Sequence, residues 1–171
     1  IKLEFTNLRK SHISIFSYIL ALFFKLGVSE SITKFFVETV PSILAIFLVY
    51  KICILMYKDK RIALISMFLI SVMYEFLFNS MRFHVETPSL FFGLLSIYVF
   101  WQGYEKREKI FGKLNPNWAV PLTVFFVILT YTTRRGYFIF GFFFLFYILL
   151  TKKFKHLIKD KYNWIAAVIA F

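Results

Sequence analysis

The sequence predicts an all-α, polytopic bundle of transmembrane helices, on the basis of its composition, its apolar blocks and its charge distribution. Of 171 residues, 60% are hydrophobic, 22% aromatic and 18% charged, whereas soluble domains average about 45–50% apolar and about 25% charged residues. A soluble domain of this length could not bury so much apolar surface, and a disordered chain would carry far less of it. An integral membrane protein is the class that remains.

Five apolar blocks are long enough to cross, or nearly cross, a bilayer as helices. About 18 helical residues at ~1.5 Å each cover ~27 Å, close to a hydrocarbon core of ~30 Å. These blocks are expected to be helices, because backbone groups without hydrogen bonds are too costly in lipid. A shorter block at 13–26 is predicted to be an interfacial, juxtamembrane helix. The five predicted spans are 40–57, 62–79, 88–104, 118–132 and 137–150.

The two ends of the chain indicate an internal piece of a longer membrane protein. The chain begins with Ile1 and has no signal-peptide layout at that end. It stops at Phe171 within an apolar run, so residues 164–171 are predicted to begin a further span. We therefore expect one transmembrane domain fragment over residues 1–171.

The basic residues orient the predicted bundle. The net charge is +12, but the Lys and Arg residues lie between apolar blocks, as in membrane loops, so membrane lipids and not nucleic acid are the expected partner. Twelve of them fall in loops 58–61, 105–117 and 151–161, and eight fall on the opposite side. The positive-inside rule places the first set in the cytoplasm of a multi-pass cell-membrane protein.

Two short turns on the predicted outer side carry the polar residues of interest, at 80–88 and 130–136. Thr87 followed by Pro88 predicts a helix start, with Thr87 as the N-cap residue. Glu86 then lies near the positive end of the helix dipole. It is either a solvated acid beside a capped helix or an acid held where a polar substrate meets the membrane.

Arginines on the outer side run against the positive-inside trend and therefore need a reason. Two explanations apply to Arg82, Arg134 and Arg135: they bind lipid headgroups, or they hold a substrate phosphate, because the guanidinium fork matches phosphate oxygens. Gly136 is expected to permit a tight turn or a close approach to a ligand. His84 alone is uninformative, and no set of His, Cys, Asp and Glu has the spacing of a metal site.

Five stretches resemble motifs of a known superfamily. The run SHISIFSYILALFFKLGVSE at 11–30 resembles HPPLYYLLLALLFKLFGVSE. The run VPSIL at 40–44 resembles RLPSALFG, and KDKRIALI at 58–65 resembles GRRAALIAA. Residues 82–98 resemble RLARTDALLLFFLLLALYLF, and 129–136 resemble the turn LTKGP or LTR. In this order they are similar to GT-C glycosyltransferases of the family 39 type, which include dolichyl-phosphate-mannose protein mannosyltransferases and lipid A aminoarabinose transferases.

The resemblance implies a GT-C fold with an outer or lumenal active site and a lipid-linked sugar phosphate as donor. It implies that Glu86 matches an acid of the second outer loop. It also implies that Arg134 or Arg135 matches a basic residue near the donor phosphate, and that His12 ends the donor-side motif of the first loop. The family's catalytic aspartate belongs to the first outer loop and is expected upstream of Ile1, so the catalytic residue itself is not identified.

The predicted function is transfer of a hexosyl or pentosyl unit from a polyprenyl-phosphate sugar to a protein, lipid or glycan acceptor. No cofactor is predicted beyond that donor, and a divalent-cation requirement stays open. The alternative is a non-enzymatic multi-pass membrane protein, either a transporter or a structural subunit. The chain departs from the family at 38–40, where Glu38, Thr39 and Val40 occupy the region of its arginine. The predicted donor-phosphate-binding residues are Arg82, His84, Glu86, Arg134, Arg135 and His12.

Overall fold

The computed structural model describes residues 15–80 and 84–151, together with residues 162, 164, 165 and 168. Within these residues all regular elements are helices, apart from an isolated antiparallel bridge between Ile110 and Leu114. The predicted all-α class is therefore confirmed. Residues 152–161 of the basic loop lie outside the described residues. The same holds for most residues of the segment 164–171, which was predicted to begin a further span.

The chain begins with a short apolar helix and a long one that contains a wider turn. Helix α1 covers Ile15–Lys25 and α2 covers Glu30–Lys34, which continues through a π-helical turn at Phe35–Thr39 into α3, Val40–Tyr57. The proline at position 41 explains the wider turn. It has no N–H to donate, and its ring would clash with the carbonyl four residues earlier in a regular helix.

The second apolar block is broken in the structure. Helix α4 covers Lys60–Val72 and α5 covers Tyr74–Ser80, and the two meet at Met73 with a bend of 61°. The span predicted over 62–79 therefore contains a break, and its crossing of the membrane stays a prediction. The Ser71 hydroxyl donates to the Phe68 carbonyl at 2.7 Å, and a serine that bonds back to its own helix competes with the backbone ladder and often bends it.

The start of the next helix also differs from the prediction. Helix α6 covers Glu86–Val99, so the N-cap is Val85, and Thr87 lies inside the first turn. Pro88 remains compatible with this earlier start, because the first backbone N–H groups of a helix have no partner within it. The Ser89 hydroxyl donates to the Val85 carbonyl at 2.6 Å and ties the first turn to its cap.

The remaining elements complete the bundle. A π-helical turn at Phe100–Glu105 follows α6, and α7 covers Ala119–Thr133 after a 3₁₀ turn at Pro116–Trp118. Helix α8 covers Ile139–Leu150 and follows a second 3₁₀ turn, Arg135–Phe138. Helix α6 packs against both α3 and α7, and α4 packs against α3.

The core lies at the end of the bundle where the loop between α6 and α7 folds back. Its buried side chains belong to the end of α6 and its π turn, the loop, α7 and α8: Val99, Phe100, Tyr104, Ile110, Ala119 and Phe144. Gly103 makes this packing close, because a methyl group at that position would lie 2.6 Å from the Cβ of Ala119. Elsewhere, large apolar side chains such as Ile65, Phe68 and Leu69 on α4 are exposed.

One continuous helix in the described part of the chain, Glu30–Tyr57, is long and apolar enough to cross a membrane. The bent pair formed by α4 and α5 would make a second if it counts as one span. The predicted set of five spans and an interfacial helix is therefore not confirmed and stays a prediction.

Candidate functional site

An ion pair joins the start of α6 to the end of α7. The guanidinium of Arg134 contacts Oε1 of Glu86. The two residues meet because α6 and α7 pack side by side in opposite directions, so the first residue of one helix lies beside the last turn of the other. The Glu86 side chain is 17% exposed and that of Arg134 is 43% exposed, so the carboxylate lies beneath a guanidinium that reaches the surface.

His84 lies at the same corner and contacts two acids in different ways. Its Nδ1 atom is 3.9 Å from Oε1 of Glu86, a distance too long for a hydrogen bond. Its backbone N–H donates to Oε1 of Glu38 at 2.8 Å. The imidazole Nδ1 is buried and has no hydrogen-bond partner among the described residues.

Glu38 is a residue of this corner that sequence reasoning did not select. It lies on the π turn between α2 and α3, and it is fully buried. Its Oε2 atom is also buried and has no hydrogen-bond partner in the described part of the chain. The sequence held only a weak signal, because acids are common near helix starts and burial is what requires a partner. The partner, however, is a backbone N–H far along the chain, which no local pattern reveals.

A cavity of about 290 Å³ opens beside the ion pair. Its polar wall includes Glu86 and Thr87 from α6, Tyr137 from the turn after α7, and Glu75 from α5. The hydroxyl of Thr87 is buried and has no hydrogen-bond partner among the described residues. The remaining lining residues lie on α4, α5 and α6: Ile70, Met73, Phe76, Asn79 and Leu90. The bend at Met73 thus shapes one wall of the cavity.

The structure separates the two arginines that the sequence could not distinguish. Arg134 pairs with Glu86, whereas Arg135 is exposed on the following 3₁₀ turn and has no ion pair with a described residue. Gly136 does not adopt the left-handed backbone region, and no atom lies within 4 Å of a methyl group placed there. The turn therefore does not use the left-handed freedom of a glycine, and the close approach to a ligand stays a prediction. Two predicted residues, Arg82 and His12, lie outside the described residues.

The guanidinium at this corner is able to bind a phosphate next to a small cavity whose wall is mostly apolar but includes several polar groups. A guanidinium has five N–H donors in a planar fork, and pairing with one carboxylate oxygen of Glu86 leaves donors of Arg134 for another anion. The carboxylate also orients the guanidinium, which lowers the entropy lost when an anion binds. The described residues include no group of three or more His, Cys, Asp or Glu placed to hold a metal ion.

Comparison with known families gives a match over almost the whole chain. A family model described as dolichyl-phosphate-mannose-protein mannosyltransferase matches residues 11–171. The resemblance to GT-C mannosyltransferases noted from the sequence is thus confirmed. No curated protein and no solved structure matches the chain significantly.

Proposed function

This chain belongs to the dolichyl-phosphate-mannose-protein mannosyltransferase family. From that premise we propose that the chain is part of a membrane enzyme that transfers a sugar from a polyprenyl-phosphate donor. The acceptor is a hydroxyl-bearing protein, lipid or glycan at the outer face of the membrane. The observation that carries the proposal is the contact between Arg134 and Glu86 beside the cavity. It puts a partly exposed cation next to a mostly apolar cavity whose wall also includes polar side chains.

Arg134 binds the phosphate of the donor in this proposal. When the acceptor oxygen bonds to the anomeric carbon, the bond between that carbon and the phosphate oxygen breaks and leaves negative charge on the lipid phosphate. A cation that is already oriented stabilises that charge without reorganising. Glu86 holds the guanidinium in place, and the proton released by the acceptor goes to a carboxylate base.

The cavity beside Glu86 receives the sugar in the same proposal. Sugar hydroxyls need donors and acceptors, which Thr87, Glu75 and Tyr137 supply along its wall. The apolar lining residues lower the local dielectric around a bound sugar, so that the electrostatic contacts there are stronger. The five-span topology, with the turns at 84–86 and 134–136 on the outer side, belongs to this proposal as well.

Donor choice tests the proposed function. The full-length protein in membranes is supplied with a labelled polyprenyl-phosphate sugar or with the corresponding nucleotide sugar, and label in the protein, lipid and glycan fractions is measured. We expect transfer from the lipid-linked donor only. Transfer from the nucleotide sugar alone, or no transfer from either donor by protein that is shown to be folded, would contradict the proposal.

A further inference from the structure

Glu38 is a buried acid that accepts a hydrogen bond from a segment distant in sequence. Its side chain is fully buried, and Oε2 lacks a hydrogen-bond partner among the residues described. Burial of an acid that is only partly hydrogen-bonded costs free energy, and an apolar side chain of similar size would avoid that cost. The chain nevertheless has an acid here, so the contact made by its other oxygen is the feature that needs a function.

That contact fixes the backbone immediately before the ion pair. The N–H of His84 donates to Oε1 of Glu38 at 2.8 Å across 46 positions of sequence. Residue 84 precedes α6, so no hydrogen bond of that helix holds its N–H. Glu86 follows two residues later and contacts Arg134. The carboxylate of Glu38, on the long helix Glu30–Tyr57, therefore anchors the segment that carries the carboxylate of Glu86.

The local backbone around Glu38 is held independently of its side chain. The N–H of Val40 donates to the carbonyl of Phe35, which closes the π turn. The Ser42 hydroxyl donates to the backbone carbonyl of Glu38 at 2.7 Å. Because neither bond involves the side chain of Glu38, a change of that side chain removes the link to His84 and leaves the turn in place. Wider turns of this kind are frequent at functional sites.

We propose that Glu38 is a positioning residue for the donor-phosphate site. It holds the backbone of His84 so that Glu86 keeps Arg134 directed toward the phosphate, and it does not touch the substrate itself. This inference rests on the proposed function, in which Arg134 binds the donor phosphate. It adds a residue from the first long helix to a site otherwise built from α5, α6 and the end of α7.

Two substitutions in the full-length protein separate the link from the burial. Glu38→Leu removes the hydrogen-bond acceptor and introduces an apolar side chain of similar size. We expect the KM for a polyprenyl-phosphate sugar to rise about tenfold with kcat unchanged, because about one hydrogen bond that positions the site is lost. Glu38→Gln keeps an oxygen that accepts from His84, so we expect a KM near that of the wild type. The matched control is Thr123→Val, which removes a buried polar group elsewhere, a hydroxyl that donates to the Ala119 carbonyl at 2.7 Å. It should leave the KM unchanged.

A double-mutant cycle distinguishes positioning from a general loss of structure. In the Arg134→Gln background, Glu38→Leu should raise the donor KM little further, because both changes disable the same contact, the one between Arg134 and the donor phosphate. Additive effects, or a Glu38→Gln variant as impaired as Glu38→Leu, would overturn the positioning role.

Hydrogen exchange gives a readout that does not depend on activity. The N–H of His84 should exchange slowly in the wild type and in Glu38→Gln, and rapid exchange in the wild type would overturn the inference even if Glu38→Leu does not fold. A KM that does not depend on Arg134 would refute the proposed function. A KM that depends on Arg134 but is unchanged in folded Glu38→Leu would refute only the role of Glu38.

Discussion

Arg134 at the end of α7 forms an ion pair with Glu86 at the start of α6, and this contact closes one corner of the bundle. Because the guanidinium is 43% exposed, the pair contributes little to stability, about 0–1 kcal/mol for exposed ion pairs. Its value lies in geometry, since it fixes the direction of a cation beside a cavity lined by Thr87 and Tyr137.

Removal of the cation tests the role of this corner. Arg134→Gln should raise the KM for the lipid-linked donor about 10- to 100-fold, because a charge-assisted contact contributes about 1.5–3 kcal/mol. Arg135→Gln should have a smaller effect, since Arg135 makes no ion pair with a described residue. Arg61→Gln, at an exposed position at the start of α4, is the control. Equal effects for Arg134 and Arg135 in donor kinetics would contradict the assignment.

Thr87 should show a trade between stability and function. Its hydroxyl is buried and has no hydrogen-bond partner in the described part of the chain. Thr87→Val removes that unpaired polar group at nearly constant volume, so we expect the free energy of unfolding to stay the same or to rise by about 1 kcal/mol. If the hydroxyl contacts the sugar, transfer should fall in the same variant. Thermal unfolding in detergent and single-turnover transfer measure the two effects, and a destabilised variant with normal transfer would argue against both.

Two glycines should differ in their tolerance of a methyl group. In Gly103→Ala the new Cβ would lie 2.6 Å from the Cβ of Ala119 and 2.9 Å from Ile110. Overpacking of this kind costs about 1–3 kcal/mol. Gly136→Ala is the control, because nothing lies within 4 Å of the added methyl group and the backbone there is not left-handed. Chemical unfolding of both variants checks the difference, and equal stability would mean that the π turn at Phe100–Glu105 is not in close contact with the start of α7.

Cysteine labelling tests the predicted orientation. In a Cys53→Ser background, the Arg135→Cys side chain should react with a membrane-impermeant maleimide in intact cells, because the charge distribution predicts that this turn lies outside. A cysteine at Lys113, in the loop before α7, should react only after the membrane is opened. The reverse pattern would place the ion pair on the cytoplasmic side and remove the outer-face reaction from the proposal.

The same local rules succeeded in some places and failed in others. Hydropathy predicts helix for the block at 40–57, and α3 covers Val40–Tyr57. The block at 62–79 has similar hydropathy but no proline or glycine to mark a break, and it bends at Met73. The threonine–proline signal at Thr87 predicted a cap two residues too late. Proline is tolerated throughout the first turn of a helix, where the backbone N–H groups have no partner within the helix.

The sequence by itself determined the all-α class and the family, because both depend on apolar blocks and motif order that can be read along one stretch of chain. It also identified Glu86 and a pair of arginines as residues of interest. Only the tertiary structure decided that Arg134 and not Arg135 meets Glu86, and that Glu38 reaches the backbone of His84. The physical reason is that these contacts join helices distant in sequence, and the packing of α3, α6 and α7 sets their geometry.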